Sequence, residues 1–119
     1  MTALLIALTG GVGAVVRFLM EYALRRRHPT QRPWATVAAN VAGTGVAGFV
    51  AYRLTGHADA QLRSVLLTGF CGGLTTFSSA FAIPAIIARE HHRNHAVALV
   101  VATPLLCTAG FLVGMTLAR

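Results

Sequence analysis

Thr36, Asn40, Thr44 and Gly48 recur every four residues inside an uncharged run from Trp34 to Tyr52. That spacing stacks them on one helical face, with Ala39, Gly43 and Ala47 as a stripe of small residues alongside. An amide and two hydroxyls on such a face have two uses. They tie one membrane helix to another, at about 1 kcal/mol per bond, or they replace the water around an ion. The spacing leaves both open.

A second stretch is denser: Gly69-Phe70-Cys71-Gly72-Gly73-Leu74-Thr75-Thr76-Phe77-Ser78-Ser79. Paired glycines followed by threonines in an apolar segment favour an unwound turn, whose freed carbonyls need an ion, water or protein donor. Such interruptions at the bilayer midplane are where transport proteins place ion sites. The carbonyls suit a small hard cation, and the helix N-terminus beside them suits an anion. A third signal is Arg17, about two-thirds along an apolar run. There an arginine costs at least ~2.5 kcal/mol unless it snorkels or finds a partner. Glu21 lies on the same face at i+4 and is a candidate partner.

These residues need elements to hold them. The chain has 119 residues, 55% hydrophobic and 11% charged, a composition too apolar for a soluble fold of that size. A bilayer core of roughly 30 Å needs about 20 apolar residues in a helix. Three uncharged runs qualify: Trp34 to Tyr52, Ser64 to Ala88 and Ala96 to Ala118. A fourth, Thr2 to Leu24, carries only Arg17 and Glu21. The expectation is an all-α membrane protein with one transmembrane domain over 1–119. Its four helices lie at about 2–24, 34–54, 62–88 and 96–118, and the third is broken at mid-membrane. No basic residue precedes Thr2, so a cleaved leader is not expected.

The net charge of +7 comes from ten arginines against three acids. Nine of the arginines fall in loops or at segment ends, beside lipid headgroups, and no soluble basic domain exists to carry a nucleic acid. Cys71 and Cys107 fall within spans and read as small apolar residues. His28, His57, His91, His92 and His95 lie in or beside loops. No cysteine or carboxylate cluster completes a metal site around them.

With these residues in place, the chain resembles the Fluc/CrcB family of fluoride channels through all four spans. The first matches at Gly10-Gly11-Val12-Gly13-Ala14-Val15-Val16-Arg17. The second matches at Thr36-Val37-Ala38-Ala39-Asn40-Val41-Ala42-Gly43. The third matches over ten residues from Gly69 to Ser78, the most specific stretch. The resemblance implies an antiparallel two-subunit channel with two narrow fluoride pathways along the interface and a structural sodium ion at its centre. Main-chain carbonyls of Gly72 and Thr75 would hold the sodium. Asn40 would donate hydrogen bonds to fluoride and Thr36 would lie on the polar track, with Ser78 and Thr108 also along the pathway. Arg17 would make its mouth positive, and Phe77 would present an electropositive ring edge. The implied activity is passive fluoride export across the plasma membrane, giving fluoride resistance, with no enzymatic step. Fluoride is small and strongly hydrated, so a selective pore must substitute donors and ring edges for water while offering no carboxylate.

Two departures stand out. The family's second pore phenylalanine, three residues after the first, falls here on Ala80, and the aromatic is Phe81. A move from i+3 to i+4 turns the ring by about 100° on a regular helix, so Phe81 does not inherit the role by position. In the fourth span Thr103, Cys107 and Thr108 are candidates for the hydroxyl track, none in an obvious register. Six arginines on one side (Arg25, Arg26, Arg27, Arg32, Arg89, Arg93) face three on the other (Arg53, Arg63, Arg119). That bias favours a fixed orientation, with both termini outside. It suggests pairing with an oppositely oriented paralogue as an alternative to a homodimer. Membrane lipid is the remaining partner. Rival classes are a small four-helix multidrug exporter and a non-conducting accessory membrane subunit. The exporter needs a titratable acid deep in the first span, and Glu21 lies too near its end.

Overall fold

Glycines decide where the helices of this chain meet, and arginines mark where several of them end. The computed structural model describes residues 1–28, 32–55, 60–90 and 92–119, except for the side chain of Arg32. His57, His91 and Pro29 lie outside the described residues.

Helix α1 is Thr2–Arg27 and α2 is Arg32–Arg53. Residues 60–74 form α3, which opens with Ala60–Ser64, widens into a π-helical stretch over Val65–Cys71 and closes with Gly72–Leu74. Thr75 and Thr76 are extended, with φ −90°, ψ 155° and φ −141°, ψ 119°. Helix α4 is Phe77–Arg89 and α5 is Arg93–Leu117. Four stretches, counting 60–89 as one, are long and apolar enough to cross a membrane. Among the described residues there is no strand. Arg25, Arg26 and Arg27 close α1, Arg53 closes α2 and Arg89 closes α4. Cations there complement the carbonyl end of the helix dipole, so the helices continue past their apolar runs to the headgroup level.

Two glycine seams hold the bundle. Along α1 and α3, a Cβ at Gly13 would strike the Phe70 carbonyl and one at Gly73 would strike the Gly10 carbonyl. Along α2 and α5, a Cβ at Gly48 would strike the Phe111 carbonyl and one at Gly114 that of Gly45. Lipid tails are as apolar as leucine, so helix association relies on this close backbone approach. Gly72 and Gly73 are helical rather than unwound, and the chain leaves the helix only at Thr75. The reason is that Gly73 serves the seam with α1, and the extended pair has negative φ at both threonines and needs no glycine.

Helix α2 is the most enclosed, with Ala35, Thr36, Val37, Ala39 and Asn40 buried. In α1 only Gly13 is buried. Leu4, Leu8, Val12, Val15 and Leu19 are each more than half exposed, an outer surface matched to acyl chains or to another apolar helix.

Candidate functional site

The polar face of α2 meets the extended pair at Asn40. Its Nδ2 donates to the Thr76 carbonyl at 3.1 Å, and its Oδ1 accepts from the Thr76 amide at 2.7 Å. Only one orientation of the side-chain amide satisfies both bonds, because a backbone N–H needs an oxygen opposite it. Asn40 thus pairs with Thr76 as a neighbouring strand would. Asn40 is 5% exposed, and in so apolar a setting two unmade bonds would cost about 1–3 kcal/mol each.

That pairing has a consequence for Gly72. In an uninterrupted helix its carbonyl would accept from the Thr76 amide, which instead goes to Asn40. The Thr75 carbonyl accepts from Arg17 Nη1 at 3.3 Å. Arg17 therefore turns inward rather than snorkelling. Glu21, the candidate partner at i+4, pairs instead with Arg25 at 3.0 Å. Arg25 lies one turn nearer the headgroup end. Arg17 lies level with a carbonyl that has lost its helical donor, and a charged donor there satisfies it.

Thr76 also caps α4. Its Oγ1 accepts from the Ser79 amide at 3.4 Å and lies 3.3 Å from the hydroxyls of both Ser78 and Ser79. A side-chain oxygen at this position satisfies one of the orphan donors of a helix start. The other hydroxyls turn to their own backbones. Thr44 donates to the carbonyls of Asn40 and Val41, Thr103 to Leu99, and Thr108 to Pro104. Thr36 differs: it is 2% exposed and its hydroxyl has no partner among the described residues.

Two spaces adjoin Asn40. One is a cavity of about 10 Å³ lined by Thr36, Asn40, Ser79, Ala80, Leu99 and Thr103 among others. That volume holds about one water-sized species, and Thr36 is among the residues that line it. The other is a groove of about 260 Å³ bordered by Asn40, Thr75, Thr76, Phe77, Phe81 and Cys107 among others. Asn40, Ala80 and Thr103 border both. Of the residues expected on the pathway, Asn40, Thr36 and Phe77 come together here, and Arg17 reaches the same segment through Thr75. Ser78 is exposed beside Thr76, and Thr108 is exposed and borders neither space. Sequence reasoning did not single out Thr76 or Ser79. A threonine three residues before a serine at the start of a helical run is the capping signal that would have pointed to them.

The fold and this site define a multi-pass helical membrane protein. It has a polar track buried between helices and, beside it, a groove with no acid among the described residues that border it. The CrcB-like protein, Camphor Resistance (CrcB) family model matches residues 4–115, and the chain belongs to that family. It is 46% identical over 99 residues to a fluoride-specific ion channel FluC of Rhizobium etli, covering 81% of this chain and 76% of that one. A fluoride-specific ion channel FluC of Rhodospirillum centenum is 37% identical over 119 residues, 98% of this chain and 94% of its own. One from Leifsonia xyli is 43% identical over 81 residues, 67% of this chain and 59% of the relative's length.

Proposed function

We propose that this chain is a subunit of a fluoride-selective passive channel of the plasma membrane, exporting cytoplasmic fluoride and so conferring fluoride resistance. The observation that carries the reading is Asn40. One N–H of its amide is spent on Thr76, and the second remains for an anion. Beside it the Phe77 ring, 81% exposed, can turn an electropositive edge to the groove. The described residues bordering the groove include no carboxylate, so none of them repels fluoride as it exchanges water for donors. The small cavity under Thr36, with Thr103 and Ser79, extends the polar lining from Asn40 along α2.

In this reading the third span is broken at mid-membrane at Thr75–Thr76, and two subunits cross there in antiparallel orientation. Apart from the neighbouring turns of its own helix, a Cβ at Gly72 would meet nothing among the described residues nearer than the Leu67 carbonyl at 3.9 Å. Packing within the chain therefore does not require glycine there, and a crossing neighbour would. A sodium ion fits the donor set. The Gly72 carbonyl lacks its helical donor, and freed carbonyls in interrupted membrane helices are ligands for such ions. Gly72 and Thr75 would hold it, with Arg17 sharing the Thr75 carbonyl; bound there, sodium supplies positive charge between the subunits. Exchanging sodium for N-methylglucamine during purification is expected to lower the melting temperature or split the pair, since a ligand bound only to the assembled state stabilises it. An unchanged melt and elution profile would remove sodium from the account.

The test of function is growth. A bacterium made fluoride-sensitive by loss of its own exporter is expected to regain growth on fluoride medium when it expresses this chain. Rescue by the chain alone indicates a homodimer, and rescue only with an oppositely oriented paralogue indicates a heterodimer. No rescue in either case, with the protein present in the membrane, contradicts the channel reading.

A further inference from the structure

Phe77 opens α4 with its ring largely bare, so little in the chain fixes how that ring is turned. Among the described residues one other ring packs against it. Phe81, one turn on, has its centroid 4.7 Å away and its plane inclined at 46°. The i, i+4 spacing places both rings on one face of the helix. A tilted approach of two rings lets the edge of one meet the face of the other, as their quadrupoles favour. Both rings border the groove that Asn40, Thr75 and Thr76 share. Between them in sequence stands Ala80, which borders the groove and the small cavity alike. Its single methyl leaves the groove side of α4 to the ring pair.

We infer that Phe81 is the positioning residue for Phe77: its ring fixes the orientation in which Phe77 presents an edge to the groove, without itself contacting the anion. The sequence offset that removes Phe81 from position 80 thus gives it a different task, carried out through its neighbour. The consequence for flux rests on the fluoride reading above; the positioning itself does not.

The experiment uses the full chain, with its paralogue where one is needed, carrying 3-fluorophenylalanine at position 77, whose meta fluorine moves when the ring turns. Phe81→Leu keeps the bulk and removes the ring, whereas Phe81→Tyr keeps the ring. In Phe81→Leu the fluorine signal is expected to collapse to one exchange-averaged line as the freed ring turns, and in Phe81→Tyr to keep the parent's unaveraged form; loss of the Phe81 ring current alone shifts the signal without averaging it. In unlabelled protein, Phe81→Leu is expected to lower fluoride efflux roughly two- to tenfold, the scale of an aromatic pair, and Phe81→Tyr is expected to restore it. A signal in Phe81→Leu that only shifts, without averaging, overturns the inference whether or not the chain conducts. Averaging in a Phe81→Leu variant of a parent that passes no fluoride upholds the positioning and sinks the channel reading instead. Parental efflux in Phe81→Leu from a conducting parent overturns the link between ring orientation and flux.

Discussion

Asn40→Asp is expected to abolish fluoride efflux at neutral pH while the protein still assembles. The substituted carboxylate keeps the acceptor for the Thr76 amide, bonded at 2.7 Å in the parent. It loses the donor to the Thr76 carbonyl and sets a negative charge beside the groove. Two like charges about 4 Å apart repel by about 4 kcal/mol at an effective dielectric constant near 20, roughly a thousandfold in occupancy. Asn40→Ala is expected to lose flux by a second route. It leaves both polar groups of Thr76 unpaired in an apolar setting, at about 1–3 kcal/mol each, and so loosens the extended pair. Efflux from reconstituted vesicles, together with the elution profile in detergent, separates the two routes. Parental flux in Asn40→Asp would show that Asn40 does not face the ion.

The second large effect concerns the seam between α1 and α3. Gly73→Ala would push a methyl into the Gly10 carbonyl, and Gly13→Ala would push one into the Phe70 carbonyl. Both obstacles are backbone atoms, so the helices themselves must separate. Overpacking of a tight core costs about 1–3 kcal/mol and sometimes more, and here the extended pair adjoins the seam. Either variant is expected to aggregate or to lose folded yield. Gly11→Ala is the control, because outside its own helical turns no described residue lies within 4 Å of the Cβ it would add. It is expected to leave stability unchanged or raise it by up to about 1 kcal/mol, the helix propensity difference. Detergent melting curves for the three variants give the comparison. A Gly73→Ala protein as stable as Gly11→Ala would mean that the two helices do not meet as described.

The four long stretches were legible because membrane helices announce themselves by length and lack of charge. Asn40 was legible for a similar reason: an amide on an otherwise apolar face needs an explanation. Its partner was not. Asn40 bonds a backbone amide and carbonyl 36 residues away, and backbone groups carry no letter in the sequence. Arg17 shows the same blindness, since the i+4 rule sees only its own helix and proposes Glu21. The carbonyl it reaches lies 58 residues on, in a segment that has left the helix. The π-helical stretch Val65–Cys71 was equally hidden. It lies where Gly69 approaches Thr9 and Ile6 of α1, and the Thr9 hydroxyl reaches the Val65 carbonyl at 3.1 Å, so it belongs to a contact rather than to a local preference. On a regular helix Phe81 is turned about 100° from the direction of position 80, so it does not take that position's role by sequence alone. That it shares a face with Phe77 follows from the same helical geometry, applied from Phe77 instead.

Fluoride-electrode recording of efflux tests the account most directly. Liposomes are loaded with potassium fluoride or potassium chloride, carry this chain with or without its paralogue, and receive a potassium ionophore at neutral pH. The account predicts rapid fluoride release, negligible chloride release and no dependence on nucleotide or a proton gradient. Fluoride held in the vesicles by correctly assembled protein, or chloride released as fast as fluoride, would contradict it.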